Sequence, residues 1–440
     1  DPLRQFKYGT KAMNVTGFTR RDFLAGAGAA AVFLPARLFS KPAPSNRITL
    51  GFIGMGLQGT QANLKTFLNQ PDAQVIAVCD VQEEACQKAQ DIVQERYGTT
   101  DCRAVRDFRE IIADTSIDAV VISTPDHWHV PMSLMALEAG KDVFCEKPTL
   151  TIAEGRILEE SVRKHNAVFQ MGIEDRSLGH FHKMIEWIRN GAIGQLQKIE
   201  ITLPCGTDYP KENPAPVPKG LDYNLWLGPA PYQPYTPNRT EWRHWREILD
   251  YSGGMITDWG SHLVDTALLA ADAPGVCPIE VEGSGSIPSN SMTTVPVKFD
   301  LKYRFANGIE MTVKSGPTPT DKSASIRLEG KRGWIRKNGW YGNLETNPPE
   351  ILRTRYSPET SLYGPLPPGE QRDFLDCVQS RKPTTYTAQT MRQLCNTLHM
   401  GVIAVQLSRK LHWDNQTDSF IEDETANQLR SRPARDYTVF

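Results

Sequence analysis

The sequence predicts an α/β protein of two domains: a parallel sheet wrapped by helices, followed by an α/β unit whose sheet is largely antiparallel. Three observations lead there. At 440 residues the chain exceeds one ordinary compact core and suits two. From residue 48 to about 172, short β-branched runs alternate with helical stretches, as βαβ units require. Beyond residue 172 the runs lengthen and alternate, and Asn307-Gly308 between two of them signals a hairpin.

In chain order, residues 1–46 read as an address and linker, residues 47–172 as the first domain and residues 173–440 as the second. "TRRDFLAGAGAAAVFLPA" pairs Arg20 with Arg21 ahead of Phe23, Leu24 and a mildly apolar run, and resembles a twin-arginine export signal. The alternative, an amphipathic helix, lacks a helical stripe, and the run is too short to span a bilayer. The expected location is therefore the periplasm or beyond.

The first-domain strands are expected in "ITLGFIG", "AQVIAVCD", "DAVVISTP", "DVFCEKP" and "AVFQMG". The stretches between them carry apolar residues at helical spacing and mostly end near Gly or Asn. A helix is expected in "SLGHFHKMIEWIRNGAIG", then strands in "QLQKIEITLP", "PVKFDLKYRFANGIEMTVKSG" and "ASIRLEGKRGWIRKNG". Pro204 to Pro237 reads as a long surface excursion, and residues 367–411 as helical.

Charge is nearly balanced, 49 basic against 51 acidic residues, with no basic cluster to follow a phosphate backbone, so nucleic acid is not an expected partner. The eight cysteines form no CxxC pair and no metal spacing, and read as buried free thiols.

"GFIGMGLQGT" sets Gly54, Gly56 and Gly59 between a strand and a helix. Gly54 permits the tight turn, Gly56 leaves room for a pyrophosphate and Gly59 lets helix and strand approach. Leu57 and Gln58 open the helix, whose N–H groups would face the phosphates. Asp80, twenty-one positions after Gly59 at the end of the next strand, would take the ribose hydroxyls. With no Arg or Lys directly after it, NAD is favoured over NADP; its structural alternative is a helix N-cap.

"CEKPTL" puts Glu146 and Lys147 at the ligand-binding edge of a parallel sheet. Lys147 would orient a hydroxyl or share its proton, its ammonium form disfavoured by desolvation; otherwise it is a surface lysine in a turn. "GGMITDWGSHLVD" spaces Asp258 and His262 four apart on one helix face, with Asp265 roughly on it. Imidazole is a base suited to a carbinol proton, whereas an N-cap aspartate and a core histidine are the structural readings. Asp258, His262 and Asp265 could ligate a metal, but with no HExxH pattern and a nicotinamide cofactor already at hand no metal is expected.

Together, "GFIGMGLQG", "STPDHWH", "CEKP" and the D-x-x-x-H helix, in that order over residues 48 to about 410, resemble the glucose-fructose oxidoreductase, inositol dehydrogenase and MocA family. The resemblance implies a Rossmann domain, then an α/β domain with a large open, mainly antiparallel sheet across which such proteins form dimers or tetramers. It implies NAD(P)-dependent hydride transfer on a sugar, polyol or related compound, with Lys147 orienting the reacting oxygen, His262 moving the proton and Asp258 positioning histidine or substrate. Thr124, Pro125, His127 and His129 would lie beside the nicotinamide, with Trp128 packing. Trp242, Arg243, Trp245 and Tyr251 in "EWRHWREILDYSGG" are candidates to line a carbohydrate pocket. An exported member would meet almost no free NAD(H), which implies a retained cofactor recycled within one catalytic cycle, by paired sugar oxidation and reduction or by transient oxidation during glycosidic cleavage. A non-catalytic sugar-binding protein is the remaining alternative.

Overall fold

The computed structural model describes residues 47–272, 277–357 and 359–436. The twin-arginine-like stretch lies outside them.

The first sheet is six-stranded and parallel, ordered β3-β2-β1-β4-β5-β6. Its strands are β1 (Ile48–Ile53), β2 (Ala73–Cys79), β3 (Arg103–Val105), β4 (Ala119–Ile122), β5 (Asp142–Glu146) and β6 (Phe169–Gly172). The chain order reverses between β1 and β4, and there an open α/β sheet leaves a crevice beyond its strand ends. A π-helical turn, Gln58–Leu64, runs into α1 (Lys65–Leu68), followed by α2 (Glu83–Tyr97), α3 (Phe108–Ala113), α4 (Asp126–Glu138) and α5 (Ile152–His165). The strands are apolar on both faces, as helices on both sides demand: Leu50, Phe52 and Phe144 pack on Phe67, while Val120, Ile122 and Val143 join the cluster of Phe108 and Trp128. α5 is pinned at its start by a capping box, Thr151 with Glu154.

α6 (Gly179–Arg189) leads into the second sheet, ordered β13-β12-β11-β7-β10-β9-β8-β14-β15. Its members are β7 (Leu196–Leu203), β8 (Glu280–Ser286), β9 (Lys298–Arg304), β10 (Glu310–Ser315), β11 (Ser325–Gly330), β12 (Gly333–Asn338), β13 (Leu344–Asn347), β14 (Lys410–Asp414) and β15 (Ser419–Phe420). Only the β7–β10 pair is parallel. The expected hairpin joins β9 to β10. One face buries Ile199, Ile201, Leu301 and Val313 in one cluster with residues of the helices that follow, and the other carries paired charges such as Lys198–Glu200 and Arg304–Glu280, both at 2.7 Å.

The segment from Pro204 to Pro237 departs from the surface excursion expected of it. It contains α7 (Tyr223–Leu227), and Tyr223, Trp226, Tyr235, Trp245 and Tyr251 form a buried aromatic cluster. Residues 220–222 pair with the chain beyond β2 through Glu83 N–H to Gly220 O and Asp222 N–H to Val81 O, each 2.9 Å. α8 (Asp258–Ala270), α9 (Glu370–Ser380), α10 (Ala388–Leu407) and α11 (Glu424–Gln428) complete the fold. α9 returns to the first domain, where its Phe374 meets Phe67 and Phe144 edge-on. α10 packs against both α5 and the second sheet, locking the two domains together.

Candidate active site

A cleft of about 480 Å³ opens at the switch point between β1 and β4 and is walled by both domains. At its first end, each motif glycine has a separate reason. Gly54 holds φ +89°, and a Cβ there would sit 2.7 Å from the Ser123 carbonyl. At Gly59 a Cβ would lie 2.0 Å from the Gly54 carbonyl oxygen, so glycine is what lets the helix start press on the turn. At Gly56 a Cβ would meet nothing within 4 Å, and this residue lines the cleft. The fold itself has no need of glycine at 56; the open space accommodates a group from outside. Leu57, at the N-cap, makes no side-chain cap bond, which leaves the helix start to an anion. Asp80 accepts Met55 N–H at 2.6 Å and Gln82 N–H at 2.8 Å, and burial pushes its carboxyl up. Each oxygen keeps a further lone pair for a ribose hydroxyl. Thr124 Oγ1, beside the turn, is buried without a partner. These features fit a dinucleotide.

At the other end β5 delivers Glu146 and Lys147. Glu146 accepts Asn63 Nδ2 at 2.7 Å and Gln58 Nε2 at 3.2 Å, and burial pushes its carboxyl up to about 7. Lys147 Nζ donates to Asp258 Oδ1 at 2.6 Å and to the Asp258 carbonyl at 2.9 Å. Burial works against its ammonium, but Asp258 outweighs burial and raises the pKa, so the expected disfavouring of the charged form is reversed. Asp258, its carboxyl buried yet held below the usual range by Lys147 and then Arg246, carries a second cation at 3.5 Å, Arg246 Nε.

His262 lies one turn further along α8, but its partner is Asp175, not Asp258. Asp175 is 1% exposed, and its Oδ2 is 2.8 Å from His262 Nδ1. Burial favours the neutral ring, yet Asp175 outweighs it and the histidine holds its proton more tightly than free imidazole does. Trp340 lies edge-on to the imidazole, with ring centres 5.0 Å apart. Asp265 turns away: it takes Arg176 at 2.7 and 3.1 Å. Asp258, His262 and Asp265 thus have three different partners and do not converge as a metal set. Among the described residues Glu174, Asp175 and His262 do approach, one ligand atom each within 4.8 Å, and the Asp175–His262 hydrogen bond accounts for the closest part of that approach.

Of the remaining expected residues, Gln58, Thr124, Pro125 and His129 line the cleft, as do Trp242 and Trp245. His127 does not: it is fully buried with Nε2 2.9 Å from Trp226 O, against the aromatic cluster. Tyr251 is in that same cluster and Arg243 stacks on Trp242 outside the lining. His129 sits between two carbonyls, Nδ1 2.7 Å from Pro148 O and Nε2 2.8 Å from Thr124 O; burial lowers its pKa to about 4, so the neutral ring has one N–H and donates to one of the two. Sequence reasoning missed Arg246 and Glu174 in the cleft wall, Asp175 behind His262, and Cys395 and His399 beneath the lysine turn, where they meet Thr149 N at 3.3 Å and Thr149 O at 2.8 Å.

Family models decide what this arrangement belongs to. One, described as an oxidoreductase family, NAD-binding Rossmann fold, matches residues 48–173, and another, the oxidoreductase family C-terminal alpha/beta domain, matches residues 187–439. The chain belongs to the Gfo/Idh/MocA oxidoreductase family. Among its curated members, the chain is 32% identical over 177 residues to the myo-inositol 2-dehydrogenase of Thermotoga maritima, covering 40% of this chain and 47% of that one. It is 30% identical over 155 residues to an alpha-N-acetylgalactosaminidase of Shewanella oneidensis, covering 34% and 33%. The matched stretches therefore span less than half of either relative. Solved family structures share the fold: an aldose-aldose oxidoreductase from Caulobacter crescentus complexed with glycerol has a TM-score of 0.62 at 18% identity, covering 83% of this chain and 99% of that chain. A levoglucosan dehydrogenase in complex with NADH has a TM-score of 0.57 at 19% identity, with coverage of 83% and 99%. The family binds a nicotinamide dinucleotide, in keeping with the Gly54–Gly59 turn and Asp80.

Proposed function

We propose that this protein is a nicotinamide-dependent oxidoreductase acting on a secondary carbinol of a sugar, polyol or sugar derivative, and that it keeps its dinucleotide between turnovers. The carrying observation is one cleft that has the Gly54–Gly59 turn at one end and Lys147, Asp258 and His262 at the other. Gly56, Gln58, Asp80 and Thr124 would hold the dinucleotide, which when bound takes up and returns the hydride. Asp80, without a neighbouring basic residue in sequence, favours NAD, although Arg106 also reaches that wall of the cleft.

Lys147 has three N–H donors and spends two on Asp258, leaving one for the reacting oxygen. Asp258 fixes where that donor points. With its Nδ1–H held by Asp175, His262 presents Nε2 as the acceptor of the hydroxyl proton and returns it in the reverse direction. Trp242, Trp245 and Trp259 offer apolar faces for carbohydrate C–H groups at the cleft wall.

Retention agrees with the pairing of residues 220–222 to Val81 and Glu83, next to the Val81–Gln82 wall of the cleft on its Asp80 side. It also agrees with the export reading of residues 1–46, which we propose places the protein where free NAD(H) is scarce. The test is to denature the purified full chain and identify released nucleotide; stoichiometric NAD(H) is expected, and an empty protein that reduces added NAD freely overturns retention.

A second reading is redox-assisted glycosidic cleavage, favoured by Glu174, a carboxylate in the cleft wall beside His262 that supplies a separate proton-handling group. Release of free sugar with no net change in reduced nicotinamide identifies it.

A further inference from the structure

Behind α8, on the side away from the catalytic cleft, lies a second pocket of about 260 Å³ that shares no lining residue with the first. Its floor is apolar, Leu268 and Leu269, and its walls are polar, with Gln389, Thr390 and Tyr363 and the carboxylates of Asp265 and Asp272 among them. Two arginines enter it. Arg176, with 13% of its side chain exposed, gives Nε and Nη2 to Asp265 and Nη1 to Thr385 O at 2.7 Å, and its plane lies 4.2 Å from the Tyr386 ring centre. These bonds use three of five guanidinium N–H groups. Arg189 pairs with Asp272, but that carboxylate is 63% exposed, so the pair is weak and Arg189 is open to exchange. Gln389 and Thr390 belong to the first turn of α10, a 20-residue helix with no acidic residue there, capped by Thr387 Oγ1, which accepts Thr390 N–H at 3.3 Å.

We propose that this pocket is a second binding site, for a small hydroxylated anion such as a sugar acid or sugar phosphate, and that its occupancy is transmitted to His262. Guanidinium N–H groups and the helix end take the anionic group, the amides and hydroxyls take ligand hydroxyls, and the leucines take the C–H face. The volume limits the ligand to about one sugar unit.

Transmission follows from chain connectivity. Asp175 and Arg176 are consecutive in the short turn Asp175–Ser177; Asp175 holds His262 and Arg176 holds Asp265, three residues further along α8. Tyr386 hydroxyl closes the loop, accepting Arg176 N–H at 2.9 Å and donating to Asp265 Oδ2 at 3.2 Å. A ligand that takes the remaining N–H groups of Arg176, while the buried Asp265 keeps its pair, pulls on the turn that carries Asp175. This transmission rests on the acid–base role of His262; the binding does not.

The test is calorimetric titration of the full chain with D-gluconate, D-glucose 6-phosphate and inorganic phosphate, with D-glucose as neutral control. Saturable binding of gluconate or glucose 6-phosphate is expected, weakened about tenfold or more by Gln389→Glu, which places a like charge on an exposed rim position. Gluconate alone identifies a carboxylate ligand and glucose 6-phosphate alone a phosphate ligand. Binding that survives Gln389→Glu, equal binding of D-glucose, binding of inorganic phosphate only, or no binding overturns the site. Transmission is read as a ligand-dependent shift in the pH profile of single-turnover hydride transfer, and an unmoved profile at saturation overturns it. If no sugar supports hydride transfer while the anion still binds, the functional reading fails and the site stands.

Discussion

Replacing Asp175 by asparagine isolates what orients His262, the acid–base group of the proposed mechanism. In the wild type, Oδ2 accepts the Nδ1 proton at 2.8 Å while Oδ1 is buried without a partner. An asparagine must put either its oxygen or its NH2 toward the ring. Oxygen toward the ring preserves the competent tautomer but drives the NH2 into the partnerless position, an unsatisfied buried donor costing about 1–3 kcal/mol. The reverse orientation avoids that cost and donates to Nδ1, which puts the ring proton on Nε2 and removes the base. The competent fraction then falls to roughly one part in ten to one in a hundred. Loss of the charge-assisted component, about 1 kcal/mol or more, adds up to another order of magnitude. Turnover should fall about 10²- to 10³-fold with nucleotide content and fold unchanged. The pH profile adds a signature. Around His262, burial and Lys147 lower its pKa, whereas Asp175 and Glu174 raise it. Removing the Asp175 charge therefore moves the acidic limb of sugar oxidation to lower pH. The assay is stopped-flow absorbance of reduced nicotinamide, in a single turnover, with a sugar that reduces the wild-type-bound cofactor. Wild-type rates, or an unmoved acidic limb, refute the assignment of Asp175 to His262.

Gly56→Ala should leave the nucleotide-free fold intact or stabilise it by about 0.4–1 kcal/mol while weakening nucleotide retention, whereas Gly59→Ala should destabilise it by about 1–3 kcal/mol or more. Chemical denaturation and nucleotide content separate the two. Lys147→Ala removes the donor that the proposed mechanism sets at the reacting oxygen and should cost on the order of 10²- to 10³-fold in turnover, checked by single-turnover kinetics at equal nucleotide content. Burial pushes the carboxyls of Asp126, Glu146 and Glu154 up to about 7. Between the ordinary carboxylate range and about 7 the folded state then binds more protons than the unfolded state, so stability falls as pH rises through that window and stays lower above it. Melting temperatures of nucleotide-free protein should show this fall, and Glu146→Gln, which keeps the oxygen facing Asn63 and Gln58, should flatten it.

The elements that were legible in the sequence are those whose local signal and tertiary role agree. Five of the six first-sheet strands are apolar on both faces and bounded by turns; β3 was missed because its three residues, Arg103–Val105, have two exposed positions at the sheet edge. Lys147 and His262 were readable from motif spacing, but Asp175 reaches His262 from 87 residues away, beyond any periodicity. Asp258 illustrates why a shared helix face is not a contact. It is the first residue of α8, and there its carboxylate reaches back across the domain boundary to Lys147. His127 and His129 look equivalent in "STPDHWH", yet both lie within α4, about 200° apart around its axis, so one faces the aromatic insert and the other the cleft.

The same contacts bear on how the cofactor leaves. Opening the cleft by parting the domains would separate Lys147 from Asp258, breaking their 2.6 Å ion pair and the geometry it fixes. It would also strip Thr149 of its bonds to Cys395 and His399 on α10, and Met171 N–H of its 2.9 Å bond to Tyr386 O. The ionic hinge would thus sit at the reacting centre itself, and each opening would dismantle the site it served. An enzyme that exchanged its dinucleotide every turnover would bear that cost every cycle. One that holds the dinucleotide and exchanges only the sugar bears it once, at assembly, and can keep the lysine and histidine preorganised for both hydride steps. The interlock of α10 with the lysine turn is therefore an argument for retention independent of the pairing of residues 220–222 with Val81 and Glu83.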